Sequence, residues 1–244
     1  MSASVLILGA RSDIARACAH RYAREGYHVR LAARDPDSLE AEATDIALRY
    51  NVQATVHGFD ALESESFAGF VDALPELPDV VLSAVGYMGE QEESQSDPQA
   101  AAEVIRSNFE GPALILGLLA ERFESRGHGV IIGISSVAGD RGRASNYVYG
   151  AAKAGFTAFL SGLRNRFSRS DLQVITVKPG FVATRMTEGM DLNPRLTAQP
   201  EAVAQAIWRA QARRRNVIYV KPVWGLVMAI ICHLPEFAFK RTRF

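Results

Sequence analysis

Seven short runs rich in β-branched residues recur along the chain, and helical periodicity fills most of the intervals between them. That alternation constrains the fold more than any other feature. Parallel strands need long crossovers, and crossover helices cover both faces of the sheet they connect. The expectation is an α/β chain: a single-domain Rossmann fold with a doubly wound, seven-stranded parallel sheet flanked by helices, and an extra apolar helix at the C-terminus. The strands are expected at 5–8, 29–33, 54–59, 80–85, 130–135, 173–177 and 217–220. Helices are expected at 13–25, 36–50, 63–74, 98–126, 147–168 and 200–213. The segment 181–199 lacks either pattern and follows the sixth strand, where a lid over the strands' carboxyl ends belongs. The reading divides the chain into one α/β domain at 1–221, with the lid inside it, and an apolar, basic extension at 222–244.

Composition excludes several classes of function. Lysine and arginine number 27 and aspartate and glutamate 27, so the overall charge offers nothing to a nucleic acid. Cys18 and Cys232 stand too far apart in sequence to suggest a disulfide framework or a zinc site, and no metal is expected. The start M-S-A-S-V-L-I-L-G carries no basic segment of a secretory signal. The apolar run 223–234 is shorter than the ~20 residues that span a bilayer. A cytoplasmic protein is expected, peripheral at the inner face of the cell membrane if the C-terminal segment meets lipid.

Tyr149 and Lys153, in Y-G-A-A-K, share a helix face one turn apart, with Ser136 thirteen residues before the tyrosine. An ammonium beneath a phenol favours the phenolate and lowers its pKa. With a hydroxyl from the preceding strand, the set polarises a carbonyl and protonates an alcohol oxygen as hydride arrives. Alone, Y-x-x-x-K also describes an ordinary aromatic and cation on an amphipathic helix.

After the first strand, L-G-A-R-S-D-I-A turns directly into a helix. Gly9 lets backbone approach a pyrophosphate, and the helix start supplies N–H groups and a partial positive charge. Gly9, Arg11, Ser12, Asp13 and Ile14 are candidate cofactor contacts; a non-binding turn with a capping aspartate is the alternative. Arg34 stands at the tip of the second strand, where an acid suits a ribose 2′-hydroxyl and an arginine a 2′-phosphate. With Arg11 nearby, NADP(H) is preferred over NAD(H). Asp60, with Ala61 after it, is either an adenine acceptor or a turn residue.

In order and spacing these pieces resemble the short-chain dehydrogenase/reductase family over nearly the whole chain. The motifs are the Gly9 turn, Asp60, S-A-V-G ending at Gly86, Asn108 in R-S-N-F-E-G, Ser136, Tyr149, Lys153, and K-P-G-F-V-A-T from Lys178 to Thr184. Two places depart from the family pattern: the first loop has only one glycine, and Ser83 and Ala84 replace two asparagines. The resemblance implies that Tyr149 is general acid in reduction and general base in oxidation. Lys153 would lower its pKa and hold the nicotinamide ribose, Ser136 would bond the substrate oxygen, and Asn108 would hold a water linking Lys153 to solvent. Ala84, Gly86, Pro179, Gly180, Val182 and Thr184 would line the cofactor. A homodimer or homotetramer suits the family.

Within that family the chain is most similar to decaprenylphosphoryl 2-keto-pentose reductases, which act on a lipid-linked sugar. The resemblance is carried by G-F-D-A-L-E-S-E-S, G-D-R-G-R-A-S-N-Y-V-Y-G-A-A-K, P-G-F-V-A-T-R-M and the tail V-I-Y-V-K-P-V-W-G-L-V-M-A-I-I-C-H-L-P. The tail's apolar residues, between Lys221 and the cluster Lys240, Arg241 and Arg243, suit a bilayer interface. A helix packed on the protein or on a partner subunit is equally compatible. Arg141, Arg143 and Arg185 are candidate contacts to a substrate phosphate. The alternatives are a fatty-acyl, steroid-like or small soluble ketone as substrate, or a non-catalytic NADP(H)-binding sensor or scaffold. Retention of Asn108, Ser136, Tyr149 and Lys153 speaks against the last.

Overall fold

A computed structural model describes residues 3–242. Strand β1 (Ser4–Leu8) is buried along its whole length, as its unbroken run of apolar residues requires of a central parallel strand. β2 (His28–Ala33) and β3 (Ala54–Gly58) lie to one side of it; β4 (Val80–Ser83), β5 (His128–Ile134), β6 (Asp171–Pro179) and β7 (Val217–Val220) lie to the other. All neighbours pair in parallel, in the order β3-β2-β1-β4-β5-β6-β7. The order reverses between β1 and β4, which opens a crevice at their carboxyl ends.

Alternation along the strands divides the core in two. Val5 and Ile7 face a layer of α1 (Asp13–Arg24), α2 (Glu40–Tyr50) and α8 (Pro200–Ala212). Leu6 and Leu8 face α3 (Phe67–Asp72), α6 (Gly111–Arg126) and α7 (Tyr147–Arg166). A third, smaller cluster joins Val137 to Trp224 and Met228 of α9 (Val223–His233), the expected C-terminal apolar helix. A short α10 (Glu236–Phe239) follows. Arg243, counted with the basic cluster, lies outside the described residues.

Three expectations need correction. The helix expected at 98–126 is α5 (Pro98–Ile105) and α6 joined by a wider turn of five-residue bonding at Arg106–Glu110. Pro112 has no N–H to return to the Asn108 carbonyl, so the ladder shifts register there. The helix expected at 63–74 is reduced to the six residues of α3, preceded by a tight turn at Ser64–Ser66. A helix not expected, α4 (Gln91–Ser96), stands between β4 and α5.

Candidate active site

A cleft of about 1100 Å³ opens over the carboxyl ends of the central strands. Its floor carries the start of α1 (Ser12 to Ile14), the tip of β4 (Ala84 to Gly86) and the end of β5 (Ile134 to Ser136). Tyr149 and Lys153 of α7 line one side; Pro179, Gly180, Val182 and Thr184 line another, together with the lid. Residues from Ser12 to Trp224, far apart in the sequence, therefore share one hollow.

Ser136 and Tyr149 line the same cleft, and the Ser136 hydroxyl accepts from the Ala138 amide at 3.1 Å. Lys153 is 3% exposed; its Nζ donates to the Ile134 carbonyl at 3.1 Å and lies 5.7 Å from the Tyr149 ring centre. Its backbone carbonyl accepts from Ser135 Oγ at 3.0 Å, which fixes α7 against the end of β5. Asn108 is fully buried in the wide turn. Its amide nitrogen donates to the Val104 carbonyl at 2.8 Å and to the Tyr87 carbonyl, and its oxygen accepts from the Tyr87 amide at 3.3 Å. A Cβ on Gly86 would lie 3.1 Å from that oxygen and 3.5 Å from Lys153 Nζ, so glycine keeps the two groups within reach of one another.

The expected electrostatics are reversed. Burial pushes the Tyr149 phenol up to about 12, opposed by the Ser136 hydrogen bond. Burial likewise pushes the Lys153 amine down to about 7. The i, i+4 spacing is present, yet desolvation is the largest influence on both groups.

At the nucleotide end, Gly9 adopts φ +78°, and a Cβ there would sit 2.9 Å from the Val85 nitrogen. Ser12 caps α1, its Oγ accepting from the Ala15 amide at 3.1 Å. The carboxylate of Asp13 accepts from the Arg185 backbone amide at 2.9 Å and from its Nε at 3.2 Å, and Arg185 also donates to the Arg11 carbonyl. Arg185 thus ties the lid to the nucleotide turn and is not a free phosphate contact. Arg11 is exposed, 3.8 Å from the Asp35 carboxylate; Arg34 is exposed at the tip of β2. Asp60 forms a turn, accepting from the Leu62 amide at 3.0 Å, and buried Ala61 packs against Gly111. Gly9, Arg11, Arg34, Asp60 and Ala61 lie off the cleft wall.

Arg141 is also corrected. Its guanidinium donates to the Ile231 and Leu234 carbonyls at 2.6 Å each and to Glu236 at 2.9 Å, and lies 3.7 Å over the Phe239 ring. It closes the end of α9, whose last carbonyls otherwise lack donors. Arg143 does line the cleft, and burial pushes its guanidinium down.

Sequence reasoning missed three parts of the site. Trp224 packs on Gly180, where a Cβ would lie 2.1 Å from the indole, and donates to the Leu196 carbonyl of the lid at 3.0 Å. Asp140, buried with Lys178 and bonded to the Tyr219 hydroxyl at 2.9 Å, braces the turn after Ser136 against β6 and β7. Gln91 and its neighbours on α4 form the outer wall. The polar stretch Q-E-E-S-Q-S has no apolar period to announce a helix. The other two depend on contacts between distant segments.

The family model described as short chain dehydrogenase matches residues 3–194. An uncharacterized oxidoreductase of Streptomyces coelicolor is 36% identical over 243 residues, covering 98% of this chain and 95% of that protein. An uncharacterized oxidoreductase of Mycobacterium tuberculosis is 33% identical over 245 residues, covering 98% and 97%. Among solved structures, a short-chain dehydrogenase from Sphingobium yanoikuyae in complex with NADPH superposes with a TM-score of 0.81 at 23% identity, over 96% of this chain and 97% of that one. That likeness speaks to the fold.

Proposed function

The chain belongs to the short chain dehydrogenase family, and from that premise we propose that this oxidoreductase transfers hydride between NADP(H) and a ketone or secondary alcohol. One observation carries the reading: Tyr149 and Ser136 line the same cleft as the start of α1 and the strand tips. The residues fit a dinucleotide. Gly9 lets the nucleotide turn close against the Ala84–Val85 backbone, where a Cβ would lie 2.9 Å from the Val85 nitrogen, and the first turn of α1 leaves its leading amides without helical acceptors. The backbone amides of Ser12, Asp13 and Ile14 would hold the pyrophosphate, Arg11 and Arg34 the 2′-phosphate, and Pro179, Gly180, Val182 and Thr184 with Lys153 the nicotinamide end. The cofactor supplies the hydride.

Everything else falls to the chain. Ser136 donates to the substrate oxygen and orients it toward Tyr149. A phenol held near 12 stays protonated across the physiological range and is therefore a ready donor as negative charge develops on that oxygen. An amine poised near 7 exchanges protons at neutral pH and is suited to restoring the phenol's proton. Asn108 holds the Gly86–Tyr87 backbone in place beside that amine.

The finer reading is a ketone on a lipid-linked sugar. The resemblance to keto-pentose reductases supports it, as does the apolar wall that Phe181, Met186, Met190 and Trp224 give the cleft. Among the described residues no helix is long and apolar enough to cross a membrane. α9 buries Trp224 and Met228 and turns Leu226 and Ile230 outward, 65% and 59% exposed, and Lys240 and Arg241 follow it in the chain. That face supports contact with an anionic lipid surface. A homodimer or homotetramer belongs to the same reading, with light scattering as its check.

Replacement of Tyr149 by Phe is the decisive experiment. NADPH binding, read by fluorescence titration, should persist while turnover falls by roughly 10²–10⁴-fold. Near-normal turnover of Tyr149→Phe would refute the reading. For the membrane contact, the double variant Leu226→Gln, Ile230→Gln should lose co-sedimentation with phosphatidylglycerol vesicles; unchanged binding removes that element alone.

A further inference from the structure

Asp13 stands at the first position of α1, where its carboxylate complements the helix dipole. A pyrophosphate would meet the helix at the same position, and an uncovered carboxylate there repels phosphates. One turn thus carries two demands that conflict. The conflict is resolved from a distant segment of the chain, since Arg185 of the lid pairs with Asp13 and both residues line the cleft.

The lid presents Arg185 from a stiff base. In the tight turn at Arg185–Thr187, the Thr184 amide donates to the Thr187 hydroxyl at 3.2 Å and the Thr187 amide to the Thr184 carbonyl at 2.9 Å. The Thr187 hydroxyl in turn donates to the Val182 carbonyl at 2.6 Å. The Ala183 amide donates to the Ala198 carbonyl and the Ala198 amide to the Phe181 carbonyl, at 2.9 Å each, so the two ends of the lid are joined just before the turn. From that base the Arg185 backbone amide and Nε reach the Asp13 carboxylate at 2.9 and 3.2 Å, and Nη2 donates to the Arg11 carbonyl.

A guanidinium is planar and carries five N–H groups, so it can hold anions on two edges at once. Arg185 spends Nε and Nη2 within the chain; among the described residues Nη1 meets no acceptor, and 63% of the side chain is exposed. Its pair with Asp13 is weak, as exposed pairs are. Pyrophosphate oxygens offer the fork more negative charge and the bidentate geometry that guanidinium groups favour. A dinucleotide reaching the first turn of α1 therefore arrives beside a cation that is loosely held and not used up. We infer that Arg185 is a pyrophosphate-binding residue, held by Asp13 until the dinucleotide arrives, and that the hand-over ties the lid to the cofactor. The inference rests on the reading of the cleft as a dinucleotide site, and it adds to the backbone amides of α1 a side chain delivered by the lid. It replaces the substrate-phosphate contact expected of Arg185.

The test needs no ketone. Fluorescence titration gives the affinity for NADPH and for NADH, which carries the pyrophosphate without the 2′-phosphate. Arg185→Met should weaken both by about tenfold, because a charge-assisted contact is lost and the Asp13 carboxylate is left uncovered before the phosphates. Asp13→Asn should weaken neither, and combined with Arg185→Met it should restore part of the loss. Cleavage by endoproteinase Glu-C at Glu188, an exposed residue of the lid, reads the second half of the inference. Saturating NADPH should slow it by about fivefold or more in the unsubstituted protein and in Asp13→Asn, and by under about twofold in Arg185→Met. Affinities unchanged by Arg185→Met, a loss confined to NADPH, or undiminished protection of Glu188 in that variant each overturns the inference and leaves the dinucleotide reading in place. Should the unsubstituted protein bind neither NADPH nor NADH, the dinucleotide reading fails first and the inference falls with it.

Discussion

The two ends of the cleft are built by opposite means. At the catalytic end, Asn108 and Lys153 are 0% and 3% exposed, and each is tied to backbone carbonyls. At the nucleotide end, the lid is tied to the first turn by Arg185 and Asp13, whose side chains are 63% and 24% exposed, and Arg11 meets Asp35 across 3.8 Å in the open. Surface ion pairs contribute at most about 1 kcal/mol each, whereas a buried, desolvated amine moves its own pKa by units. On the proposed reading, the amine that would exchange protons is buried, and the parts that would admit a dinucleotide and a ketone are held by contacts that release easily.

The largest effect that would break this contrast concerns Lys153. Its amine titrates near 10.5 when unfolded and about 7 when folded. Below pH 7 both states carry the proton, so this group adds no slope and the cost of burying a cation is fully present. Between pH 7 and 10.5 the unfolded chain holds a proton that the folded one lacks, so stability rises with pH by about 1.4 kcal/mol per unit. Tyr149, held near 12, opposes this only above pH 10, where the unfolded phenol ionises first. Urea unfolding should therefore show the unsubstituted protein gaining roughly 3 kcal/mol on Lys153→Met between pH 6 and 9.5. Parallel curves would mean that the folded lysine keeps its charge, and the catalytic end would lose its distinction.

A smaller effect sharpens the contrast from the lid side. Gly180 leaves no space above it, since a Cβ would collide with the Trp224 ring at 2.1 Å. Gly180→Ala should push the indole away, break its bond to the Leu196 carbonyl and destabilise the protein by roughly 1–3 kcal/mol. Denaturation midpoints measure the loss, and the emission of Trp224 in a Trp208→Phe background should shift to the red. An unchanged midpoint and spectrum would show that α9 is not what holds the lid's far end.

The architecture was legible because it follows from local periodicity: seven parallel strands appear within a few residues of expectation, and of the flanking helices only α3, α4 and the break between α5 and α6 departed from it. Of the residues singled out in the sequence, Ser136, Tyr149, Lys153, Pro179, Gly180, Val182 and Thr184 line one cleft, whereas Asn108, Gly9, Arg11, Arg34, Asp60 and Ala61 do not. What sequence could not supply was the balance of forces. The spacing of Tyr149 and Lys153 is visible in the letters, but the burial that raises one pKa and lowers the other depends on the strand ends packed against α7. Arg141 and Arg185 read as loop cations free for a ligand, yet the first closes a helix end ninety residues away and the second is held by Asp13. Long-range partners of flexible cations leave no trace in local pattern.

Asp13 gives the smallest effect and the finest discrimination. As a carboxylate at the start of α1 it complements the helix dipole, and by accepting from Arg185 it holds the lid across the turn where phosphates would lie. Both contributions are exposed and therefore weak, so Asp13→Asn should cost under about 1 kcal/mol in urea unfolding. The lid should respond more than the global fold. With Arg185 released, limited proteolysis within 186–194 should accelerate while the rest of the chain stays resistant. NADPH should bind no more weakly, because a negative charge has been removed from beside its phosphates. A loss of stability comparable to that of Gly180→Ala would place Asp13 among the structural supports, and the nucleotide end would then be as rigidly built as the catalytic one.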